Sequence, residues 1–375
     1  MSRIERVLVV GGGPAGMTAA IALRAQGLRP ELVEIDRDWT PLGVGLLLQG
    51  PPLRALRSIG VLDACVEAGF PVHDVTFMNV HGDVLDVARS PAVAGPEYPP
   101  SLAMARPALH RVLAARVEAD GTPVRLGLTA EAISQTGDRV DVGFDDGSRG
   151  SYDLVVAADG AHSHVRRLAF DSGAEPQFTG QAIWRTMVRR PPGHRNYPII
   201  FGLGGKLGLV PVSEKELYIY LLQTPPTDER PPQDEWAECM RGFMANYNVE
   251  VDGLREQIVD PALVDYRALS ALLVPRPWHR GRVVLLGDAA HTTTPHLSYG
   301  VGMAVEDSIV LAEEAASGDP AEQVLERFTK RRYERCRIVV ENSVLLGEWE
   351  KHPGTPGAEP GRVVGETFAV LAQPL

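Results

Sequence analysis

The sequence has few cysteines and few positive charges for its length. Its 375 residues include three cysteines, Cys65, Cys239 and Cys336, which are far apart and form no CxxC or Cys/His metal-binding spacing. We therefore expect a reduced, cytoplasmic protein with no metal site. The formal net charge of −11, without a long basic cluster, argues against nucleic acid as a partner.

Long apolar runs are also missing. No uninterrupted apolar stretch reaches the roughly 18 residues that a membrane span needs, so we expect no membrane partner. The basic string KRRYERCR at residues 330–337 is interrupted by Glu334, and it is interpreted as a solvated helix face with intrahelical ion pairs. The length favours two domains and leaves the oligomeric state open, so a homodimer is compatible with the sequence.

A glycine-rich motif stands near the start of the chain. Residues 6–16 read RVLVVGGGPAG, with Gly11, Gly13 and Gly16 in G-x-G-x-x-G register after an apolar strand at residues 7–10. In such motifs the first glycine makes a tight turn, the second lets the backbone approach a pyrophosphate, and the third lets helix and strand pack closely. The motif predicts a dinucleotide site.

The segment after the glycines has the other parts of that site. Pro14 and Ala15 begin a predicted helix that ends at Gln26, and free N–H groups in its first turn favour phosphate. A second strand, residues 31–35, carries Glu34 and then Ile35 at its end. An acidic residue about 20 positions beyond the glycines is placed to bind a ribose hydroxyl.

A second motif lies far along the chain, at residues 283–312. An apolar strand leads into Gly287 and Asp288, a polar turn follows, and Gly300, Val301 and Gly302 open a helix. A carboxylate only accepts hydrogen bonds, which suits Asp288 to the hydroxyls of a polyol such as a ribityl chain. The free amides at the start of the helix favour negative charge.

The segments between the two motifs show several secondary-structure patterns. A helical stripe covers residues 50–68, and residues 75–80 and 84–87 form a predicted hairpin. Residues 152–158 are interpreted as one buried strand, and residues 178–224 as a series of short strands. Two long helices are predicted at residues 300–317 and 321–350.

Three fingerprints in this order resemble those of the FAD-dependent aromatic hydroxylases of the p-hydroxybenzoate hydroxylase type, the group A flavoprotein monooxygenases. They are the glycine motif, Asp159 and Gly160 in DLVVAADGAHSHVRR, and Asp288 in VVLLGDAAH. The last motif and its helix look most similar to the salicylate hydroxylase and 6-hydroxynicotinate monooxygenase branch. The resemblance implies a single-component enzyme that binds FAD, takes electrons from NADH or NADPH, and uses O2 through a C4a-hydroperoxyflavin to hydroxylate a small or medium aromatic substrate.

The resemblance also implies the fold. We expect an α/β protein with a Rossmann-like FAD-binding domain, formed by residues 1–70, 101–174 and 276–375 and including the C-terminal helices. Residues 71–100 and 175–275 would form an inserted, mostly antiparallel β-sheet domain that binds substrate. Ligand pockets commonly lie at such domain interfaces.

The family likewise implies roles for individual residues. Glu34 would hold the adenosine ribose and Asp288 the ribityl chain, while Arg106 would reach the ribityl and pyrophosphate region. Asp159 is linked in the family to FAD and to the reduced nicotinamide. Pro295 matches the proline whose backbone lies beside the reactive edge of the flavin. Tyr299 stands where the branch usually has glutamine, which is a departure next to the flavin.

Four residues are candidates for the chemistry itself: Pro295, His296, Arg185 and Tyr218. His296 is placed to act as a general base or simply to hydrogen-bond its turn. Arg185 could pair with a carboxylate or phenolate, or lie at the surface, and on a strand it points away from its neighbour Trp184. Tyr218 and Tyr220 share one strand face, where they could line the pocket or pack as ordinary strand residues.

Two other functions stay open from the sequence. A flavin-dependent reductase or dehydrogenase would share the same FAD fingerprints. A redox-inactive accessory protein would bind FAD without turning over reduced nicotinamide. Because one fold supports many functions, the fingerprints alone do not separate these alternatives.

Overall fold

The strands were located in a computed structural model that describes residues 3–41, 43–170, 173–202, 204–225, 230–247 and 251–375. In chain order they are β1 (Arg6–Val10), β2 (Arg29–Glu34), β3 (Gly45–Gln49), β4 (Phe70–Val72), β5 (Asp74–Asn79), β6 (Val84–Arg89), β7 (Ser101–Ala105), β8 (Val124–Leu126), β9 (Ala130–Thr136), β10 (Arg139–Phe144), β11 (Arg149–Tyr152), β12 (Leu154–Ala157), β13 (Gln177–Arg189), β14 (Tyr197–Gly202), β15 (Gly205–Pro211), β16 (Glu216–Gln223), β17 (Val264–Ala271), β18 (His279–Arg280) and β19 (Val283–Leu285).

The helices connect and cover these strands. In chain order they are α1 (Pro14–Ala25), α2 (Gly50–Ser58), α3 (Leu62–Ala68), α4 (Arg106–Ala119), α5 (His164–Ala169), α6 (Trp236–Met244), α7 (Asp252–Arg255), α8 (Gly300–Ala315), α9 (Ala321–Lys351) and α10 (Pro360–Leu371). Among the helices that the structure describes, none combines the length and the apolar character needed to cross a lipid bilayer.

A six-stranded sheet forms the centre of the nucleotide-binding half, in the order β18-β19-β12-β1-β2-β8. Strand β1 lies between β12 and β2 and is parallel to both. Its residues Val7 to Val10 are almost completely buried, as expected for an apolar strand covered on both faces. Helix α1 packs along α8, and the Thr18 and Ser308 hydroxyls are 2.9 Å apart at this contact.

A seven-stranded sheet forms the other half, in the order β17-β13-β16-β15-β14-β5-β6. The predicted hairpin is confirmed, because β5 pairs antiparallel with β6, and β14 pairs with β5. One face packs against α6 around the buried Trp184 and Trp236, whose ring centroids are 6.4 Å apart. The opposite face carries the tyrosines of β16. The exact domain boundaries given above stay a prediction.

Three segments differ from what the sequence predicts. The single helix at residues 50–68 is wrong, because Gly60 at φ 70° ends one helix and the chain restarts as α3. The single strand at residues 152–158 is also wrong: Tyr152 ends the antiparallel strand β11, and Leu154 begins the parallel strand β12. Helix α10 follows the two predicted C-terminal helices and packs on α9.

The basic string at residues 330–337 is only partly a solvated helix face. Arg337 does pair with Glu334 and Glu341 on its own helix. Arg332 and Arg335, in contrast, are buried. The Arg332 Nε donates to Asp307 Oδ1 at 2.7 Å, and the Arg335 Nε donates to Glu306 Oε2 at 2.9 Å. The interpretation as a wholly solvated face is therefore wrong, because two arginines neutralise adjacent buried carboxylates of α8.

Candidate active site

A cavity of about 310 Å³ lies where the two large sheets meet. One end is lined by residues that directly follow parallel strands: Gly13 after β1, Gly160 after β12 and Asp288 after β19. The carboxyl ends of parallel strands are the usual ligand-binding edge of such sheets. The other end is lined by the tyrosine face of the seven-stranded sheet. The first turn of α8 also lines the cavity.

The glycine motif has the shape that the pyrophosphate of a dinucleotide requires. Gly11 has a φ of 108°, and a Cβ there would lie 2.4 Å from the Ala158 carbonyl oxygen. A Cβ at Gly16 would lie 1.8 Å from the Gly11 carbonyl oxygen, so only glycine lets α1 pack this closely. At Gly13, by contrast, a Cβ would meet no atom within 4 Å. Gly13, Pro14 and Ala15 line the cavity, and the start of α1 has no side-chain cap. Its free amides therefore suit phosphate oxygens.

The acidic residues of the first two fingerprints are occupied by backbone amides. Glu34 Oε2 accepts from the Gly12 amide at 2.5 Å and Oε1 from the Asp36 amide at 2.8 Å. Each carboxylate oxygen has a second lone pair, so Glu34 can still accept from ribose hydroxyls. The Ile35 side chain is exposed and stands outside the cavity wall. The Asp159 carboxylate accepts from the Ser163 hydroxyl and from the Val165 amide at 2.9 Å, and thereby caps α5.

Asp288 and Arg106 face each other at the cofactor end. The Asp288 carboxylate lies open to the cavity, but the surrounding protein desolvates it, which raises its pKa above the ordinary value. Burial lowers the pKa of Arg106, an effect that the Asp288 charge opposes. A Cβ at Gly43 would lie 3.0 Å from the Arg106 Cδ, so Gly43 leaves room for this side chain.

The turn before α8 directs the backbone toward the cavity. Pro295 begins a short 3₁₀ turn that ends at Leu297, and Ser298 follows in the left-handed region at φ 50°. Such strained residues are common at functional sites. Helix α8 then starts at Gly300 with no side-chain cap, and Pro295, Gly300 and Val301 line the cavity. Gly302 does not line it, since a Cβ there would lie 2.5 Å from Pro52.

The far end of the cavity is an aromatic surface. Tyr218 and Tyr220 both line it, and the Tyr220 hydroxyl lies 2.8 Å from that of Tyr197. Burial raises the pKa of Tyr218 to about 12, against the nearby positive charge of Arg185. Arg185 also lines this end, whereas Trp184 is buried on the opposite face, which confirms the predicted alternation. These phenols are therefore neutral hydrogen-bonding groups at physiological pH.

His296 occupies a different place from the one that its position after Pro295 suggests. Its side chain is 1% exposed and lies against Gly347 of α9, and its Nδ1 is 2.9 Å from the Thr294 hydroxyl. Burial, with Lys206 and Lys351 nearby, holds its pKa well below the ordinary value. A neutral imidazole behind the cavity wall is a weak base without access to substrate, which argues against the general-base role.

Several residues with a part in the site are not among those predicted from the sequence. Arg166 is buried and donates to the Ala289 carbonyl at 2.9 Å, which ties the second fingerprint to the third. Tyr197 reaches the cavity because β14 pairs with β15. Asp265 lies opposite Arg185 because β17 pairs with β13. Strand pairing between distant segments places Tyr197 and Asp265, and a single sequence does not reveal such pairing.

His291 supports the cofactor end from behind. Its Nε2 lies 2.6 Å from Asp307 Oδ2, and the Gly287 amide donates to the same oxygen at 3.1 Å. Burial opposes the charged imidazole, but Cys336 and Asp307 raise the pKa of His291 well above the ordinary value. His291 therefore braces the loop that carries Asp288.

Comparison with known proteins identifies the family to which this chain belongs. A family model described as "FAD binding domain" matches residues 5–343. The chain is 30% identical over 351 residues to 2-heptyl-3-hydroxy-4(1H)-quinolone synthase of Pseudomonas aeruginosa, covering 92% of this chain and 90% of that protein. It is also 30% identical over 351 residues to 3-amino-4-hydroxybenzoate 2-monooxygenase of Streptomyces cremeus, covering 90% and 84% respectively.

Solved structures share the fold. Klebsiella pneumoniae HpxO, complexed with FAD and uric acid, superimposes with a TM-score of 0.88 at 22% identity, covering 99% of this chain and 97% of that one. At this level of identity the likeness concerns the fold alone. It agrees with the two-part architecture described above.

Proposed function

Because the chain belongs to the FAD-binding domain family and is an FAD-dependent monooxygenase, we propose that it hydroxylates a small or medium phenolic or N-heteroaromatic ring, with NADH or NADPH as the reductant and O2 as the oxidant. One observation carries the proposal. A single cavity joins a dinucleotide end, at Gly13 and Asp288, to an aromatic end, at Tyr218 and Tyr220. The names of the similar quinolone synthase and aminohydroxybenzoate monooxygenase support an aromatic substrate.

The residues at the cofactor end fit FAD. The uncapped start of α1 would hold the pyrophosphate, Glu34 the adenosine ribose and Asp288 the ribityl hydroxyls. Arg106 would reach the region between the ribityl chain and the pyrophosphate. The amides at the start of α8 would stabilise negative charge on the reduced ring. Bound FAD supplies the transfer of electrons from nicotinamide to O2 and of one oxygen atom to the substrate.

The protein side chains at the aromatic end orient the substrate and exclude water. Ile183, Val210 and Leu222 supply apolar walls, and Tyr218 offers a neutral hydroxyl to a polar group on the ring. Exclusion of water and a fixed position of the substrate favour transfer of oxygen to the substrate over reaction with water. Asp159, which caps α5, would support the cofactor loop. We propose the cytoplasm as the site of action, since all three cysteines are free thiols.

The test begins with the absorption spectrum of the purified protein. We expect bound flavin, and NADH or NADPH oxidation that accelerates with at least one member of a panel of phenols, hydroxybenzoates and hydroxylated N-heteroaromatics. Under ¹⁸O2 the product should gain one labelled oxygen atom, and peroxide should account for only part of the reductant consumed. Absence of flavin, or acceleration without an oxygenated product, would reject the proposal. Substrate hydrogenation without O2 uptake would instead identify a reductase.

A further inference from the structure

The charged side chains of the cavity are unevenly distributed. Among the described residues that line it, those with a full charge are Arg106, Asp288 and Arg185. Arg106 and Asp288 face each other at the cofactor end. Arg185 is the cation that the substrate sheet supplies to the aromatic end, where it lies opposite Tyr220 in the pairing of β13 with β16. The charge of Arg106 also acts on Arg185 and Tyr218. The charge that a substrate meets at this end therefore depends on the partner of Arg185.

That partner is Asp265 of the neighbouring strand β17. The two residues lie directly opposite each other in the sheet. The Arg185 Nε donates to Asp265 Oδ2 at 2.8 Å, and Nη2 donates to the same oxygen. The two side chains are only 14% and 27% exposed. An ion pair this well enclosed is weakly screened by water and salt.

Asp265 stays ionised in this position. Burial alone would raise its pKa, but the guanidinium groups of Arg185 and Arg267 lower it below the ordinary value. Arg267 donates to the other oxygen of Asp265 at 3.3 Å, yet its side chain is 45% exposed and lies outside the cavity wall. The negative charge of Asp265 therefore opposes the field of Arg185 inside the cavity.

Arg185 nevertheless keeps hydrogen-bond donors. A guanidinium has five N–H groups, and the pair with Asp265 uses two of them. Another part of Arg185 faces the Tyr218 hydroxyl, which burial keeps protonated. The Tyr197 and Tyr220 hydroxyls also hold their protons, because burial raises the pKa of each. The aromatic end thus offers hydrogen bonds from protonated phenols and from a guanidinium that is already paired with Asp265.

We propose, resting on the function proposed above, that the Arg185–Asp265 pair makes this enzyme select uncharged hydroxy- or oxo-aromatic substrates over analogues that carry a carboxylate. A neutral carbonyl or hydroxyl on the ring accepts from Arg185 or Tyr218 at little desolvation cost. A carboxylate loses its hydration on entry and meets a cation that is already neutralised. Asp265 is then a specificity-determining residue that acts through Arg185.

The test measures binding to the FAD-loaded protein through the perturbation of flavin absorbance, so it requires no turnover. Two matched pairs are used: 2-aminophenol with 3-amino-4-hydroxybenzoate, and 4-hydroxyquinoline with its 2-carboxylate. In at least one pair, the uncharged member should bind about 10-fold more tightly or better, the ratio that corresponds to about 1.4 kcal/mol. Tighter binding of the carboxylates in both pairs would overturn the inference.

Variants identify the residues responsible for the preference for uncharged ligands. Asp265→Asn keeps the shape and frees the charge of Arg185, so the ratio of dissociation constants should shift about 10-fold toward the carboxylate. The double variant with Arg185→Gln should lose this shift, and Arg267→Gln should keep the wild-type ratio. If Asp265→Asn does not fold, Asp265→Thr, which suits a strand, replaces it. An unchanged ratio in the folded single variant contradicts the inference.

The outcomes separate this inference from the proposed function. If carboxylated substrates bind more tightly and are oxygenated, the monooxygenase function stands and the selectivity is rejected. If no aromatic perturbs the flavin and none is oxygenated, both are rejected. Tighter binding of the uncharged members, together with the shift in Asp265→Asn, supports the selectivity whatever the rate of turnover.

Discussion

Asp288 is a carboxylate that the fold keeps accessible to a ligand inside a cavity. It lines the cavity, and its pKa is raised by the desolvation that the enclosing protein imposes. A bound polyol would offer hydroxyl donors to this carboxylate. Hydrogen bonds to a charged group of this kind are among the stronger ones in proteins. The free energy of cofactor binding should therefore depend strongly on this one side chain.

The first prediction concerns this carboxylate. Asp288→Asn should raise the dissociation constant of FAD about 10- to 100-fold, because a charged acceptor is lost. Titration of the apoprotein with FAD, followed by quenching of flavin fluorescence, measures the change. Asp319→Asn is the matched control. Asp319 is half-buried in the loop between α8 and α9, where it pairs with Arg327, and this variant should bind FAD like the wild type. Equal affinity in Asp288→Asn would remove this residue from the proposed site.

A second prediction concerns the pH dependence that His296 imposes. Its pKa lies well below 6.5 in the folded chain, so below pH 6.5 the unfolded chain binds a proton that the folded chain does not. The free energy of unfolding therefore falls as the pH falls. When the pH falls from 7.5 to 5.5, this residue should lower the free energy of unfolding by about 1 kcal/mol.

Urea unfolding of the FAD-saturated protein at both pH values checks this cost. His296→Gln removes the titrating group. Over the same pH interval, its free energy of unfolding should fall by about 1 kcal/mol less than that of the wild type. Parallel curves for the two proteins would mean that the histidine titrates normally in the folded chain.

At the scale of elements, α8 and α9 form the support for the cofactor end. Helix α8 directs its first turn to the cavity and carries Glu306 and Asp307, both fully buried, at its middle. Helix α9 supplies Arg332 and Arg335 to these two carboxylates. Burial alone would raise the pKa of Asp307, but His291 and Arg332 hold it well below the ordinary value. This pairing fixes the rotation of α8 about its axis and thus the direction of its first amides.

The third prediction tests that support. Asp307→Asn removes a negative charge that pairs with the buried Arg332. It should lower the free energy of unfolding by roughly 3 kcal/mol. Arg337→Gln removes the exposed ion pairs on the same helix and should change it by less than about 1 kcal/mol. Urea unfolding at neutral pH measures both. A similar, small effect of the two substitutions would show that the buried network contributes little to stability.

At the scale of the whole molecule, the ligand site belongs to both large sheets. The six-stranded sheet supplies the loops after β1, β12 and β19, and the seven-stranded sheet supplies the tyrosine face. A ligand that fills the cavity therefore contacts both halves of the molecule. Stabilisation by FAD should extend across this junction.

The fourth prediction follows from that shared site. FAD at about 100 times its dissociation constant should stabilise the folded chain by about 2.7 kcal/mol and slow hydrogen exchange through global unfolding about 100-fold. Hydrogen–deuterium exchange with mass spectrometry should show similar slowing for the buried amides of β1 and β16, such as Val9 and Ile219. Slowing confined to β1 would mean that the two sheets unfold independently.

The family, the fold class and the FAD cofactor could all be predicted from the sequence, and the comparisons confirm them. The reason is physical: a tight turn, a close backbone approach and a helix start are encoded within a few residues, as at Gly11 and Gly16. The break between α2 and α3 at Gly60 could not be predicted, because a helical apolar stripe continues through it. Local patterns locate turns and apolar faces well but not the ends of helices.

The chemistry of the aromatic end could not be predicted in the same way. Arg185 meets Asp265 only because β13 and β17 pair in one register, and the two residues are 80 positions apart. His296 lies next to Pro295 in sequence, yet its ring turns toward α9 and away from the cavity. Arg332 and Arg335 look like surface residues until α8 supplies their partners. Each of these facts depends on tertiary contacts.

Helix α9 also has a mechanical consequence. Its 31 residues make a rod about 46 Å long. In its first half Arg332 pairs with Asp307 of α8. At its end Glu350 pairs with Lys206 of β15 at 2.9 Å, and Lys351 Nζ donates to the Thr179 carbonyl at 2.8 Å. The rod thus works as a strut between the cofactor helix and the substrate sheet. Separating the cofactor helix from the substrate sheet would break the contacts that α9 makes with both. The motion that admits substrate must therefore occur in segments other than α9.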